Sequence, residues 1–249
     1  MKKYIYTIFI FIAQFSISQE AKIISDIPKD LNGTIIINDY LKSIGGEKKI
    51  NKITTLKKQF NIELNQGVDL IMRGEVLYKV PNLYASILEI EQLGQVQSTK
   101  YDGKECVLTR LHNNDVLEQK IEGEKLKGKL KEFTPFPILT EKNKNIQFQL
   151  IEIHQSNNQE LYKIYVHNNE QDSTFLFFDT KTKYLVKKQI INKKTTKTTE
   201  YLDYKKIEGI MFPFTELSTI LMDNQLAQKS LNKINSIIIN EEIQLTEFQ

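Results

Sequence analysis

The chain has 249 residues, with 34 Lys and Arg against 31 Asp and Glu, a formal net charge of +3. That near balance gives nucleic-acid binding no bulk electrostatic support, and the length allows one large β domain or two smaller ones. The single cysteine, Cys106, excludes an intramolecular disulfide and reads as a small buried hydrophobe rather than a catalytic thiol.

Met1 to Ser18 reads as a secretory signal peptide. Lys2 and Lys3 give the positive start, Tyr4 to Ala13 the apolar core, and Ser16-Ile17-Ser18 a small-residue cleavage site before Gln19. The apolar run is far below the roughly 20 residues a spanning helix needs. The expectation is therefore cleavage near Ser18/Gln19 and an exported, soluble, periplasmic chain; an uncleaved anchor is the other reading. Without Lys2 and Lys3 the formal charge falls from +3 to +1. No cysteine stands just after the leader, so no lipid anchor is expected.

Residues 19–33 form a polar, proline-containing lead-in, and 34–249 are expected to fold as a single domain. Thr34 can cap a helix from Ile35 to Ser43, with Ile36, Tyr40 and Ile44, or Ile37, Leu41 and Ile44, at helical spacing. Gly45-Gly46 would end it, and Glu47 to Asn51 adds one more helical turn. Alternation then takes over. Leu56, Phe60, Ile62 and Leu64 share one face of a strand, and Val68, Leu70, Met72, Val76, Tyr78 and Val80 repeat the pattern beyond a turn at Gln66-Gly67. Leu83 to Ile90 follows, and then Asp102-Gly103 joins Gln95–Tyr101 to Glu105–Leu111 as a hairpin.

Glu124 to Phe133 is charged and helix-prone, with Leu126, Leu130 and Phe133 on one stripe. The Thr134-Pro-Phe-Pro-Ile-Leu139 stretch that ends it is too proline-dense for regular structure but carries apolar side chains for burial. Strands resume at Ile146–His154, Leu161–His167 and Ser173–Asp179. They continue at Tyr184–Ile191, Lys197–Tyr204 and Phe214–Met222, with a last strand within Ala227–Ile239. Tyr201 to Phe214 turns at Glu208-Gly209. Ten or eleven strands with short turns predict a mainly β (α+β) fold: a strongly curved antiparallel sheet forming a half-open barrel, with helices covering its concave face. An apolar gap between those helices and the sheet would be a pocket; a fully packed core fits the same periodicity.

Chemistry-bearing motifs are sparse. His112, His154 and His167 lack metal-site spacing, although His154 and His167 could lie near each other on paired strands. There is no Gly-x-Ser-x-Gly elbow and no phosphate loop, so neither an enzyme nor a cofactor is expected. Nine lysines between Lys181 and Lys206 read as a solvated outer face protecting strand edges, or as a transient contact with anionic membrane surfaces.

In order along the chain stand Tyr40-Leu-Lys-Ser-Ile-Gly-Gly-Glu-Lys-Lys-Ile50, Lys79-Val-Pro-Asn-Leu-Tyr84, Tyr101-Asp-Gly-Lys104, Phe178-Asp-Thr-Lys-Thr182 and Tyr204-Lys-Lys-Ile-Glu-Gly-Ile-Met-Phe-Pro213. With these motifs the chain resembles Bacteroidetes-type exported proteins of the outer-membrane lipoprotein-sorting, LolA/LolB-like carrier superfamily. The resemblance implies a half-open barrel and a hydrophobic cavity that receives lipoprotein acyl chains or similar lipids. Zinc peptidase activity found beside this domain in related proteins does not carry over, because no His-x-x-Glu-His sequence is present. The carriers' arginine-dependent gating has no clear counterpart, the only arginines being Arg73 and Arg110. The expected function is thus a non-enzymatic carrier of hydrophobic ligands for outer-membrane sorting. The alternative is a cell-envelope interaction or scaffold protein with the same fold and a filled core. The candidate cavity residues, chosen by alternation, are Phe60, Ile62, Leu64, Leu70, Met72, Val76 and Tyr78. The aromatics of Tyr201–Phe214 are expected to build the barrel wall, with the ligand meeting other strands.

Overall fold

A computed structural model describes residues 22–24, 27–65, 69–113, 115–156, 159–167 and 172–249. The expected leader and the turn at Gln66-Gly67 lie outside the described residues.

A short strand, β1 (Lys22–Ile24), precedes helix α1 (Gly33–Ser43). The cap is Asn32 rather than Thr34: Asn32 is extended, and its Oδ1 accepts from the Ile35 amide at 3.1 Å. Thr34 therefore sits inside the first turn. Both apolar stripes are used, since Ile36, Ile37, Leu41 and Ile44 are all buried and Tyr40 packs on Phe178 with ring centroids 5.2 Å apart. The helix closes as a Schellman motif. The Gly45 amide donates to the Lys42 carbonyl at 3.2 Å and the Gly46 amide to the Leu41 carbonyl at 2.9 Å. Gly45 has φ +130°, which an L side chain rarely adopts. A one-turn helix, α2 (Glu47–Ile50), follows as expected.

The first meander comprises β2 (Thr55–Asn65), β3 (Asp69–Lys79), β4 (Leu83–Ile90), β5 (Gly94–Tyr101), β6 (Cys106–His112) and β7 (Asp115–Ile121). After helices α3 (Gly123–Lys129) and α4 (Pro137–Asn143), a second meander runs through β8 (Gln147–Ser156), β9 (Gln159–His167), β10 (Ser173–Asp179), β11 (Leu185–Ile191) and β12 (Thr195–Leu202). A separate ribbon of β13 (Lys205–Ile207) and β14 (Ile210–Phe212) precedes β15 (Thr215–Met222) and β16 (Gln225–Ile239). Among the described residues fourteen strands form one sheet in the order β1-β8-β9-β10-β11-β12-β15-β16-β2-β3-β4-β5-β6-β7. All its pairings are antiparallel, and β16 against β2 joins the two meanders. The end strands β1 and β7 do not pair with each other, so the sheet is open.

Two expectations need correction. The helix read over Glu124–Phe133 stops at Lys129, and the proline-dense stretch is partly helical, with Pro137 in the first turn of α4. Proline is tolerated there because its missing N–H has no intrahelical partner at that position. The described residues hold sixteen strands rather than ten or eleven; β1 and β7 are not among those expected, and the 201–214 stretch is divided between β12 and the β13–β14 ribbon. β7 is exposed along nearly its whole length, Val116 being 70% and Leu117 53% accessible, so it carries no one-sided pattern to detect.

The main core joins α1 and α4 to the inner faces of β2, β3, β8, β9, β10, β11 and β16. On the opposite face of β3 and β4, Leu77 and Ala85 are covered by Ile243 and Phe248 from the C-terminal segment. Cys106 is buried with Tyr101, Leu108, Ile121 and Phe133, as a small hydrophobe should be. The register of β8 on β9 sets His154 opposite Leu161 and His167 opposite Gln147. The two histidines thus stand at opposite ends of the pair, roughly 20 Å apart at ~3.3 Å per residue, and do not converge. No helix among the described residues is long and apolar enough to cross a membrane.

Candidate functional site

A cavity of about 240 Å³ lies between the concave face of the sheet, α1, residues 132–141 and the β13–β14 ribbon. Small-molecule sites span roughly 300–1,000 Å³, so this one is just below that range. Thr174 and Leu176 of β10 line it together with Tyr78 of β3, six strands away in the sheet order. In a flat sheet at ~4.8 Å per strand they would stand about 29 Å apart. The sheet must therefore curl around the cavity.

The roof is the segment that proline density had marked. Thr134, Pro135, Phe136 and Pro137 face the cavity, and Phe136 meets Phe212 of β14 with centroids 5.8 Å apart. An ion pair between Lys142 and Glu47 ties α4 to α2. The ribbon is held from the other side: the Met211 amide donates to the Ile44 carbonyl at 2.9 Å. At the ribbon's turn Glu208 and Gly209 both have positive φ, 48° and 84°, the pattern of a type I′ hairpin. The Gly209 carbonyl stands 2.8 Å from where a Cβ on Gly45 would be. The helix-ending glycine turn and the Tyr204–Pro213 motif, distant in sequence, thus form one contact.

The walls are mainly apolar, from Leu41, Leu56, Leu176, Leu185 and Ile237, but several polar groups reach in. Lys58 pairs with Glu216 at 3.5 Å, and Asn232 Nδ2 donates to the other Glu216 oxygen at 3.1 Å. Burial pushes the hydroxyls of Tyr40, Tyr78, Tyr201 and Tyr204 far above the ordinary tyrosine range, so they remain protonated. The Tyr204 hydroxyl donates to the Leu185 carbonyl at 2.7 Å. Toward the roof, burial raises the Glu141 carboxyl and lowers the Lys188 ammonium, with the charge of each partly opposing the other's shift.

All seven residues selected by alternation belong to β2 or β3, and they separate along the strands. Tyr78 lines the cavity. Phe60 and Val76 are buried in the core, and Ile62 packs against it. Leu64 and Leu70 border a separate, more open depression of about 450 Å³ near the far end of the hairpin, and Met72 is half-buried. The 201–214 stretch, expected to serve as wall, contributes Tyr201, Tyr204, Met211, Phe212 and Pro213 to the cavity lining. Lys58, Lys188 and Glu216 also escaped selection. Their signal was parity: Lys58 falls between Leu56 and Phe60 on the inward face, where a charge needs a polar or open space to face.

Neither Arg73 nor Arg110 lines this cavity. The lysines from Lys181 to Lys206 do not form one solvated face. Lys183, Lys187 and Lys205 lie over Tyr162, Phe177 and Phe214 at 5.2, 4.0 and 4.4 Å, while Lys188 enters the cavity. Among the described residues no group of three or more His, Cys, Asp or Glu side chains could hold a metal.

No family model matches the sequence, and no curated protein matches it. Solved structures do. A LolA superfamily protein from Nitrosomonas europaea aligns over 88% of this chain and 98% of its own, with TM-score 0.59 and 12% identity. A DUF1329 family protein from Desulfovibrio piger aligns over 87% of this chain and 97% of its own, with TM-score 0.62 and 8% identity. This chain shares its fold with both structures over most of its length.

Proposed function

We propose that this protein is a non-enzymatic carrier of hydrophobic ligands, taking a lipid or a lipoprotein acyl chain into its concave cavity within the cell envelope. The observation that carries this reading is the roofed cavity of about 240 Å³, apolar over most of its wall and bounded by separately anchored segments. A carrier needs such a space. Each methylene contributes about 0.8 kcal/mol to membrane retention, so an acyl chain crosses an aqueous compartment only if a host supplies comparable burial. The likeness to the LolA superfamily fold supports the same reading, as does the signal-like N-terminal sequence for a periplasmic location.

The test is native mass spectrometry of the protein purified from its own periplasm, followed by titration of the delipidated protein with laurate and monolauroylglycerol. The reading expects bound lipid mass on extraction and saturable one-to-one binding afterwards. A ligand-free protein that binds neither amphiphile would refute it and favour the envelope scaffold.

A further inference from the structure

The polar groups on the concave face are not scattered. Across neighbouring strands Tyr201 of β12 stands opposite Glu216 of β15, and Glu216 stands opposite Asn232 of β16. Lys58 reaches past the Phe60 ring, 5.7 Å from its centroid, to Glu216. One row further out, Thr199 stands opposite Ser218, their hydroxyls 2.9 Å apart, and Ser218 stands opposite Ser230. Two successive rows of the inner face are thus polar, beside the apolar walls formed by Leu56 and Ile237.

This band is poorly explained as a stabilising device. A half-buried ion pair gains little over well-packed apolar residues of the same volume. Lys58 and Glu216 retain 22% and 24% of their side-chain exposure while lining the cavity, so they face space that a ligand can enter. Asn232 orients Glu216 by donating to its second oxygen at 3.1 Å, and its own buried Oδ1 has no hydrogen-bond partner among the described residues.

We infer that the cavity takes an amphiphile with an uncharged, hydroxyl-bearing headgroup, of the monoacylglycerol kind, whose headgroup docks at Lys58 and Glu216, with Asn232 holding Glu216 in place. This rests on the carrier reading above and adds the class of ligand. A hydroxyl can donate to a Glu216 oxygen and accept from the Lys58 ammonium or a tyrosine hydroxyl. A carboxylate or phosphate would be brought against Glu216, and a quaternary ammonium against Lys58. The paired charges cancel, so the site rewards a ligand that both donates and accepts without carrying charge.

The test is calorimetric titration of delipidated full-length protein with monolauroylglycerol and with laurate, below their micelle concentrations. The wild type should bind monolauroylglycerol about tenfold more tightly than laurate, the factor that ~1.4 kcal/mol represents. Glu216→Gln should abolish or reverse that order by strengthening laurate. Lys58→Met should weaken laurate further and monolauroylglycerol less. Equal affinity, or tighter laurate binding, in the wild type overturns the inference while leaving the carrier reading intact. An unchanged order in Glu216→Gln overturns it too; should that variant fail to fold, the wild-type ratio and Lys58→Met decide. If neither amphiphile binds the wild type, the carrier reading fails and the headgroup site with it.

Discussion

Asp179 shows how one side chain fixes a turn. Buried at the end of β10, its Oδ1 accepts from the Lys181 amide at 3.0 Å, the Thr182 amide at 2.6 Å and the Thr182 hydroxyl at 2.9 Å. Replacement by alanine leaves those donors unpaired. Asp179→Ala should therefore lower unfolding stability by about 1–3 kcal/mol, measured by urea denaturation, and Asp179→Asn should recover part of it. Glu141 gives a pH signature. Burial raises its folded pKa above its ordinary value near 4.5. Between that ordinary value and the raised one the folded state holds more protons than the unfolded state, so stability falls as pH rises through the window. Thermal melts from pH 4 upward should show this fall in the wild type, and a shallower one in Glu141→Gln.

At the scale of elements, the contact between the end of α1 and the β13–β14 ribbon closes one side of the cavity. It depends on the absence of a side chain at Gly45, which is at positive φ and 2.8 Å, at the Cβ position, from the Gly209 carbonyl. Gly45→Val should strain both features and cost about 1–3 kcal/mol, read by chemical denaturation. Hydrogen exchange at the Met211 amide, bonded to Ile44, should quicken more than exchange at central strands such as β9. Equal acceleration everywhere would show that the ribbon does not open separately. Proline density is compatible with a helix when proline stands in its first turn, and so the roof could be built from it.

The whole molecule is a curled open sheet whose two meanders meet along β2 and β16. Its cavity exists only because strands far apart in order are brought around one space. Met211, half-buried on the ribbon and lining that space, provides a test at this scale. Met211→Trp should fill the cavity and weaken laurate and monolauroylglycerol binding together, by at least about tenfold, a loss of ~1.4 kcal/mol. Because the ring enters open space, the stability change should stay below about 1.5 kcal/mol. Unaltered binding to a stably folded variant would mean that ligands occupy another part of the concave face.

Local sequence carries the antiparallel β character, the one-sided strands of the first meander, a helix over residues 35–43 and most turns. Those features arise from local periodicity and from residues such as Gly45 and Asp102, whose backbone demands are short-range. It also identified the inward faces of β2 and β3, but not which part of them meets a cavity. Phe60 and Tyr78 have the same parity, yet Phe60 belongs to the packed core and Tyr78 lines the cavity as well. Long-range packing makes that difference, because the roof comes from residues 132–141 and 204–213, far away in the chain. It likewise brought Lys58, Glu216 and Asn232 together from three strands. Alternation reports which face a side chain occupies; what stands opposite that face depends on long-range pairing and curvature, which no local pattern encodes.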